Sequence, residues 1–175
     1  MAFLNPEGVI KAIGIDVGMT IADFGSGAGF YTIPMARAVG PTGKVYALDV
    51  QKSALEVVKS KAKEARLLNI HPMWADLDTL GGSHLADGSA HVALISNILF
   101  QSDHKKELLQ EAFRILGAKG RIAVIDWAFS ARGGPAADRV VKQEAAEKLL
   151  EEAGFSKVRE FFAGDAHYGL LYQKP

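Results

Sequence analysis

The chain has 175 residues, 49% of them apolar, and its 20 basic residues balance 20 acidic ones. That composition excludes general disorder, and nucleic acid is not indicated, because phosphate binders usually carry a basic excess. With no cysteine, disulfides, thiolate metal sites and cysteine nucleophiles are excluded as well.

The length fits one domain over residues 1–175. The start, Met-Ala-Phe-Leu-Asn-Pro, lacks the basic region and apolar stretch of a secretory signal. The longest uncharged stretch, Gly88 to Ser102, is shorter than the ~18 apolar residues a membrane span needs. A cytoplasmic protein is expected.

In chain order, Pro6–Ile13 reads as a short helix. Thr20–Phe24 and Lys44–Asp49 read as strands, with a helix opening between them. Ser53 followed by Glu56 forms a capping box, and Leu55, Val58, Ala62 and Ala65 make the inward stripe of the next helix. Its net charge of +3 from Lys52 to Arg66 reads as a solvated face. Ile70–Ala75 is a strand that Pro72 assigns to an edge. Ala90–Ser96 and Arg121–Trp127 lack polar alternation, as strands buried on both faces of a parallel sheet do. Asp103 is expected to cap the helix between them, and Gly117 to stop it. Asp138 is expected to open a further helix, with Val141, Ala145, Leu149 and Leu150 inward. Gly81–Gly88 and Ala128–Pro135 read as loops.

The tail departs from this alternation. Ser156–Phe162 and His167–Lys174 are both strand-like, and Ala163–Ala166 leaves no room for a crossover helix, so the pair is an antiparallel hairpin. The fold class is α/β, with helices on both faces of a mixed sheet.

The most informative segment follows the first strand: Asp23, Phe24, Gly25, Ser26, Gly27, Ala28, Gly29. Glycines here allow positive φ and a close backbone approach to a ligand. Open α/β sheets bind nucleotide-like cofactors at such a turn. A dinucleotide fingerprint would need a third glycine where Phe30 stands. Acidic-x-Gly-x-Gly-x-Gly is instead the pattern of S-adenosylmethionine enzymes. Asp49, ending the second strand and followed by Val50, can accept both hydroxyls of a ribose. Asp76, followed by Leu77 after the third strand, can accept an adenine amino group.

These motifs resemble the class I S-adenosylmethionine-dependent methyltransferases over nearly the whole chain. Within that family the chain is similar to small enzymes related to quinone-biosynthesis methyltransferases, a functionally broad group. Leu109 to Arg121 resembles the family's E-x-x-R-x-L-x-P-G-G, although Gly117-Ala-Lys-Gly120 lacks the Pro-Gly-Gly. The resemblance implies a doubly wound seven-stranded Rossmann-like sheet ordered 3-2-1-4-5-7-6 with strand 7 reversed. It implies S-adenosyl-L-methionine as cofactor and a small-molecule acceptor. It also implies that Ser96 and Asn97 touch the methionine end of the cofactor. Asn97-Ile98-Leu99-Phe100 lacks the prolines of the base- and amide-methylating D/N-P-P-Y/F motif. The lack of cysteine likewise opposes the arsenite methyltransferases.

The acceptor is expected beyond the ends of the fourth and fifth strands, bounded by Gln101, His104, Trp127 and His167. Trp127 reads equally as a pocket wall or a core residue. No catalytic residue is assigned, and the five histidines lack metal-ligand spacing. Two readings compete with a methyltransferase: a non-catalytic cofactor-binding partner subunit, and a nicotinamide-dependent reductase, which Phe30 opposes.

Overall fold

The computed structural model describes residues 5–175, so most of the Met1–Pro6 segment lies outside the described residues. Among the described residues there are twelve elements, helices and strands alternating except over residues 70–96 and 156–173, where one strand directly follows another. They are α1 (Pro6–Ile13), β1 (Thr20–Phe24), α2 (Thr32–Val39), β2 (Lys44–Asp49), α3 (Lys52–Glu64), β3 (Ile70–Trp74) and β4 (Ala90–Ser96). Then come α4 (Lys105–Ile115), β5 (Leu116–Trp127), α5 (Gln143–Glu152), β6 (Ser156–Phe162) and β7 (His167–Gln173).

The strands form one seven-stranded sheet ordered β3-β2-β1-β4-β5-β7-β6. Ladders are parallel from β3 through β5, and β7 runs antiparallel to both β5 and β6. Apolar side chains leave the sheet on both faces. One core joins Phe24, Ile95 and Val124 to Leu108, Ala112 and Leu150. The other joins Ile21, Leu94 and Ile125 to Ile13, Met35 and Val58. The uninterrupted Val92–Ile95 run is fully buried because helices cover both of its faces.

Both sheet edges carry irregular strands. Pro72 of β3 sits opposite Ala47. On β6 the register shifts between Lys157 and Arg159, leaving Val158 as a bulge.

Four helix-end expectations fail. Ser53 makes no capping bond, because α3 already starts at Lys52 after Gln51. Ala65 of its stripe lies past the helix end, half-buried. Asp103 does not cap α4; His104 occupies that position, and Asp103 pairs with Arg139 at 2.9 Å. Gly117 does not stop α4, since the chain turns extended at Leu116, which already pairs with Ala90 of β4. The left-handed residue is instead Lys119, at φ 63°, in the place of a glycine in the family pattern. Asp138 does not open α5, which begins at Gln143. Ala146 is consequently buried and Ala145 exposed.

Candidate cofactor site

The carboxyl ends of β1, β2, β3 and β4 open onto one cleft. Its wider part, about 490 Å³, is lined by Gly25, Gly27, Asp49, Val50, Asp76, Leu77, Ser96, Asn97 and Gln101 among others. A narrower part, about 310 Å³, adds Asp23, Ser26, Phe30 and Tyr31 and shares Gly25, Gly27, Ser96 and Asn97 with the first. Two of the expected cofactor residues lie outside it: the Phe24 side chain is fully buried in the core, and Gly29 faces the α2–α3 side with Ile33 and Lys61.

The turn after β1 is fixed by the sheet. The N–H groups of Gly25 and Ser26 donate to the Leu48 carbonyl at 2.7 and 3.0 Å. The Gly27 N–H donates to Asp49 Oδ2 at 2.8 Å, and the Gln51 N–H to Asp49 Oδ1 at 2.8 Å. Asp49 thus joins the glycine turn to the start of α3 while still lining the cleft. Gly25 is required: its φ is 66°, and a Cβ there would fall 2.1 Å from Ile98 Cδ1. From behind, Lys61 Nζ donates to the Ala28 carbonyl at 2.7 Å, a contact made from a helix face that had read as merely solvated.

Asp23 is buried and accepts from Thr32 Oγ1 at 2.5 Å. Burial pushes its carboxyl up to about 7, against the lowering effect of Thr32 and with a further push from Asp49. Nearby, Ser26 Oγ and Asn97 Oδ1 are buried without a partner. Asn97 holds a left-handed backbone, φ 58°, and its N–H donates to the Ile125 carbonyl at 2.8 Å. Burial also raises the Tyr31 phenol to about 12, so it stays protonated as a donor.

Unpaired buried polar atoms normally mark a missing partner. Here both face the narrow part of the cleft, where the Asp23 carboxyl suits a cation. A pyrophosphate would meet that carboxyl in the same place. A zwitterionic amino acid end therefore fits the narrow part, and a nucleoside fits the wide one.

The profile of a family described as a methyltransferase domain matches residues 15–168. This chain belongs to the class I S-adenosylmethionine-dependent methyltransferases. It is similar to a demethylmenaquinone methyltransferase of Lactococcus lactis, 33% identical over 121 residues, 67% of this chain and 45% of that protein. A ubiquinone/menaquinone biosynthesis C-methyltransferase of Salmonella arizonae is 29% identical over 119 residues, covering 67% and 46%. This chain thus spans about half the length of the curated relatives it matches. Among solved structures, a SAM dependent methyltransferase from Aquifex aeolicus superposes with a TM-score of 0.88 at 27% identity, over 98% of this chain and 90% of that one.

In this chain the expected acceptor residues do not gather. Gln101 lines the cleft, and its Nε2 donates to the Asn97 carbonyl at 2.6 Å. His104 is exposed at the entry to α4. Trp127 and His167 face each other across the β5–β7 ladder, ring centroids 4.2 Å apart. Neither lines the cleft described above. Trp127 is half-buried, and Gly134 of the following loop lies on its ring. His167 Nε2 has no partner, and burial lowers its pKa.

Beside Trp127, Asp126 is fully buried. Burial pushes its carboxyl up to about 6, against the N–H groups of Trp127, Phe100 and Leu99. Among the described residues no cluster of His, Asp or Glu is arranged to hold a metal ion, and no helix is long and apolar enough to cross a membrane.

The sequence showed Glu111, wholly buried on α4, only as part of the E-x-x-R resemblance and gave it no role. The signal was present: Glu111 falls on the inward stripe set by Leu108 and Ile115, where an acidic residue needs a partner.

Proposed function

We propose that this chain is a single-domain methyltransferase that passes the methyl group of S-adenosyl-L-methionine to a small-molecule acceptor. The observation that carries the reading is the pair of partnerless buried atoms, Ser26 Oγ and Asn97 Oδ1, beside the Asp23–Gly29 turn. In this reading Asp23, Ser26, Gly27, Ser96 and Asn97 hold the methionine end. Asp49 accepts the ribose hydroxyls, Asp76 receives the adenine amino group, and Val50 and Leu77 flank the ring.

When bound, the cofactor supplies a sulfonium whose methyl carbon is open to in-line displacement. The residues of the chain align and shield. Asn97 and Gln101, tied to each other, border the mouth where a nucleophile would approach, and alignment of this kind supplies about 7–11 kcal/mol of a barrier. The Ile98 side chain, which lines the cleft beside them, keeps that floor apolar, which favours loss of the sulfonium charge. The names of the relatives make a quinone precursor the first acceptor to try.

The test is calorimetric titration of the purified chain with S-adenosylmethionine, S-adenosylhomocysteine and NADH. Both sulfur ligands are expected to bind and NADH is not. NADH binding without either sulfur ligand would overturn the reading. Sulfur-ligand binding with no methyl transfer to any acceptor would favour a non-catalytic partner subunit.

A further inference from the structure

We infer that Glu111 and Arg114 are positioning residues for the adenosine half of the cleft, acting through the 81–83 turn on Asp76. The inference rests on the cofactor reading above. It assigns a role to the E-x-x-R part of the α4 sequence, whose two charged residues lie outside the cleft.

A fully buried carboxylate is costly unless its lone pairs are filled. Those of Glu111 are filled almost entirely by one loop and one cation. The Gly81 N–H donates to Oε2 at 2.7 Å, and the Ser83 N–H to Oε1 at 3.0 Å; the Ser83 hydroxyl donates to Oε1 as well. Arg114, one turn along, donates from Nε and Nη2 at 2.9 and 2.7 Å, and its Nη1 reaches Asp87 at 2.5 Å. Burial alone would raise the Glu111 carboxyl, but Arg114, Ser83 and Gly81 together hold it down at about 2. It is charged at every physiological pH.

The residue between the two clamped amides is Gly82. A Cβ there would fall 1.7 Å from the Asp76 carbonyl oxygen and 2.8 Å from that of Thr79. The clamped turn therefore lies directly against the backbone of Asp76. Asp76 in turn shapes the cleft wall: its Oδ1 accepts from the Asp78 N–H at 3.2 Å, and its carbonyl from the Thr79 N–H at 3.4 Å. Asp78 is held from the α4 side too, by Ser102 Oγ at 2.6 Å.

Asp76, Leu77 and Asp78 line the cleft on a connection with no regular structure. Left alone, such a loop would move. Anchoring it at Gly81 and Ser83 sets where the Asp76 carboxylate points without either charged residue touching a ligand.

The experiment measures S-adenosylhomocysteine Kd and melting temperature for the wild type, Glu111→Gln, Asp76→Ala and the double variant. The glutamine keeps the shape but sets an NH2 group against donor N–H groups. We expect Glu111→Gln to weaken binding about tenfold, or ~1.4 kcal/mol, well below its melting temperature. In the Asp76→Ala background the same change should add less than twofold, because the two residues act through one contact. Backbone exchange at Asp76–Thr79 should quicken in step. Should Glu111→Gln not fold, Ser83→Ala keeps the carboxylate and should weaken binding in the same direction. A lowered melting temperature with unchanged Kd, or losses that multiply in the double variant, would overturn the clamp. Wild-type protein that binds no sulfur ligand would overturn the cofactor reading and the clamp with it.

Discussion

The two halves of the carboxyl-end surface are built by different means. Around Asp23–Gly29 and Asp49, backbone groups make the site: Leu48 receives two N–H groups, and Asp49 ties Gly27 to Gln51. Beyond β4 and β5 the groups are side chains on separate elements. His104 lies on the approach to α4, Trp127 ends β5, and His167 begins β7. A site of backbone groups is fixed by local sequence, because each glycine and each strand end dictates its neighbours. A site of side chains takes its geometry from loops whose paths the sequence only bounds.

This contrast ranks the expected effects on cofactor binding. The largest belongs to Asp49→Ala. It removes the proposed ribose acceptors and leaves the Gly27 and Gln51 N–H groups without partners, so S-adenosylhomocysteine Kd should rise ten- to a hundredfold, for about 1.5–3 kcal/mol of charge-assisted bonding. Titration calorimetry checks it, and an unchanged Kd would reduce Asp49 to a turn residue.

The next effect is a pH dependence. The folded Asp23 carboxyl, at about 7, lies above the ordinary 3.8. The unfolded chain therefore releases this proton first. Its contribution to the stability of the ligand-free protein is full below pH 3.8 and is lost as pH rises to about 7. A cationic ligand prefers the ionised form, so binding of S-adenosylmethionine should tighten roughly five- to tenfold between pH 6 and 7.5. A flat profile would mean that Asp23 does not meet the ligand's charge.

Trp127→Ala should have the smallest effect on cofactor affinity, within twofold, since the residue is outside the cleft. It should cost about 2 kcal/mol of stability through the lost contacts with His167 and Gly134. A selective fall in turnover on an acceptor would assign Trp127 to the pocket. A stability loss with normal specific activity would make it packing alone.

Legibility in the sequence follows the same division. The tail hairpin was readable because the four residues between β6 and β7 forbid a crossover, whereas the strand order came only as what the family resemblance implies. The glycine turn was readable because few chemistries need such spacing. Helix starts were not. A cap contributes about 1 kcal/mol, little enough for Asp103 to turn to Arg139 instead and for the Leu116–Ala90 ladder contact to set the other end of α4. The E-x-x-R residues were visible as a resemblance, but their purpose was not. Glu111 finds its partners 28 and 30 residues away, on a loop that carries no sequence periodicity.

The margins of the sheet bear on self-association. A sheet whose outermost strands are straight and fully supplied with N–H and C=O groups is a template for polymerisation through its own edges. Pro72 deprives one margin of a donor, and the Val158 bulge, between Lys157 and Arg159, distorts and charges the other. Both outer strands are therefore poor templates for the addition of a further strand, although β6 is exposed along nearly its whole length.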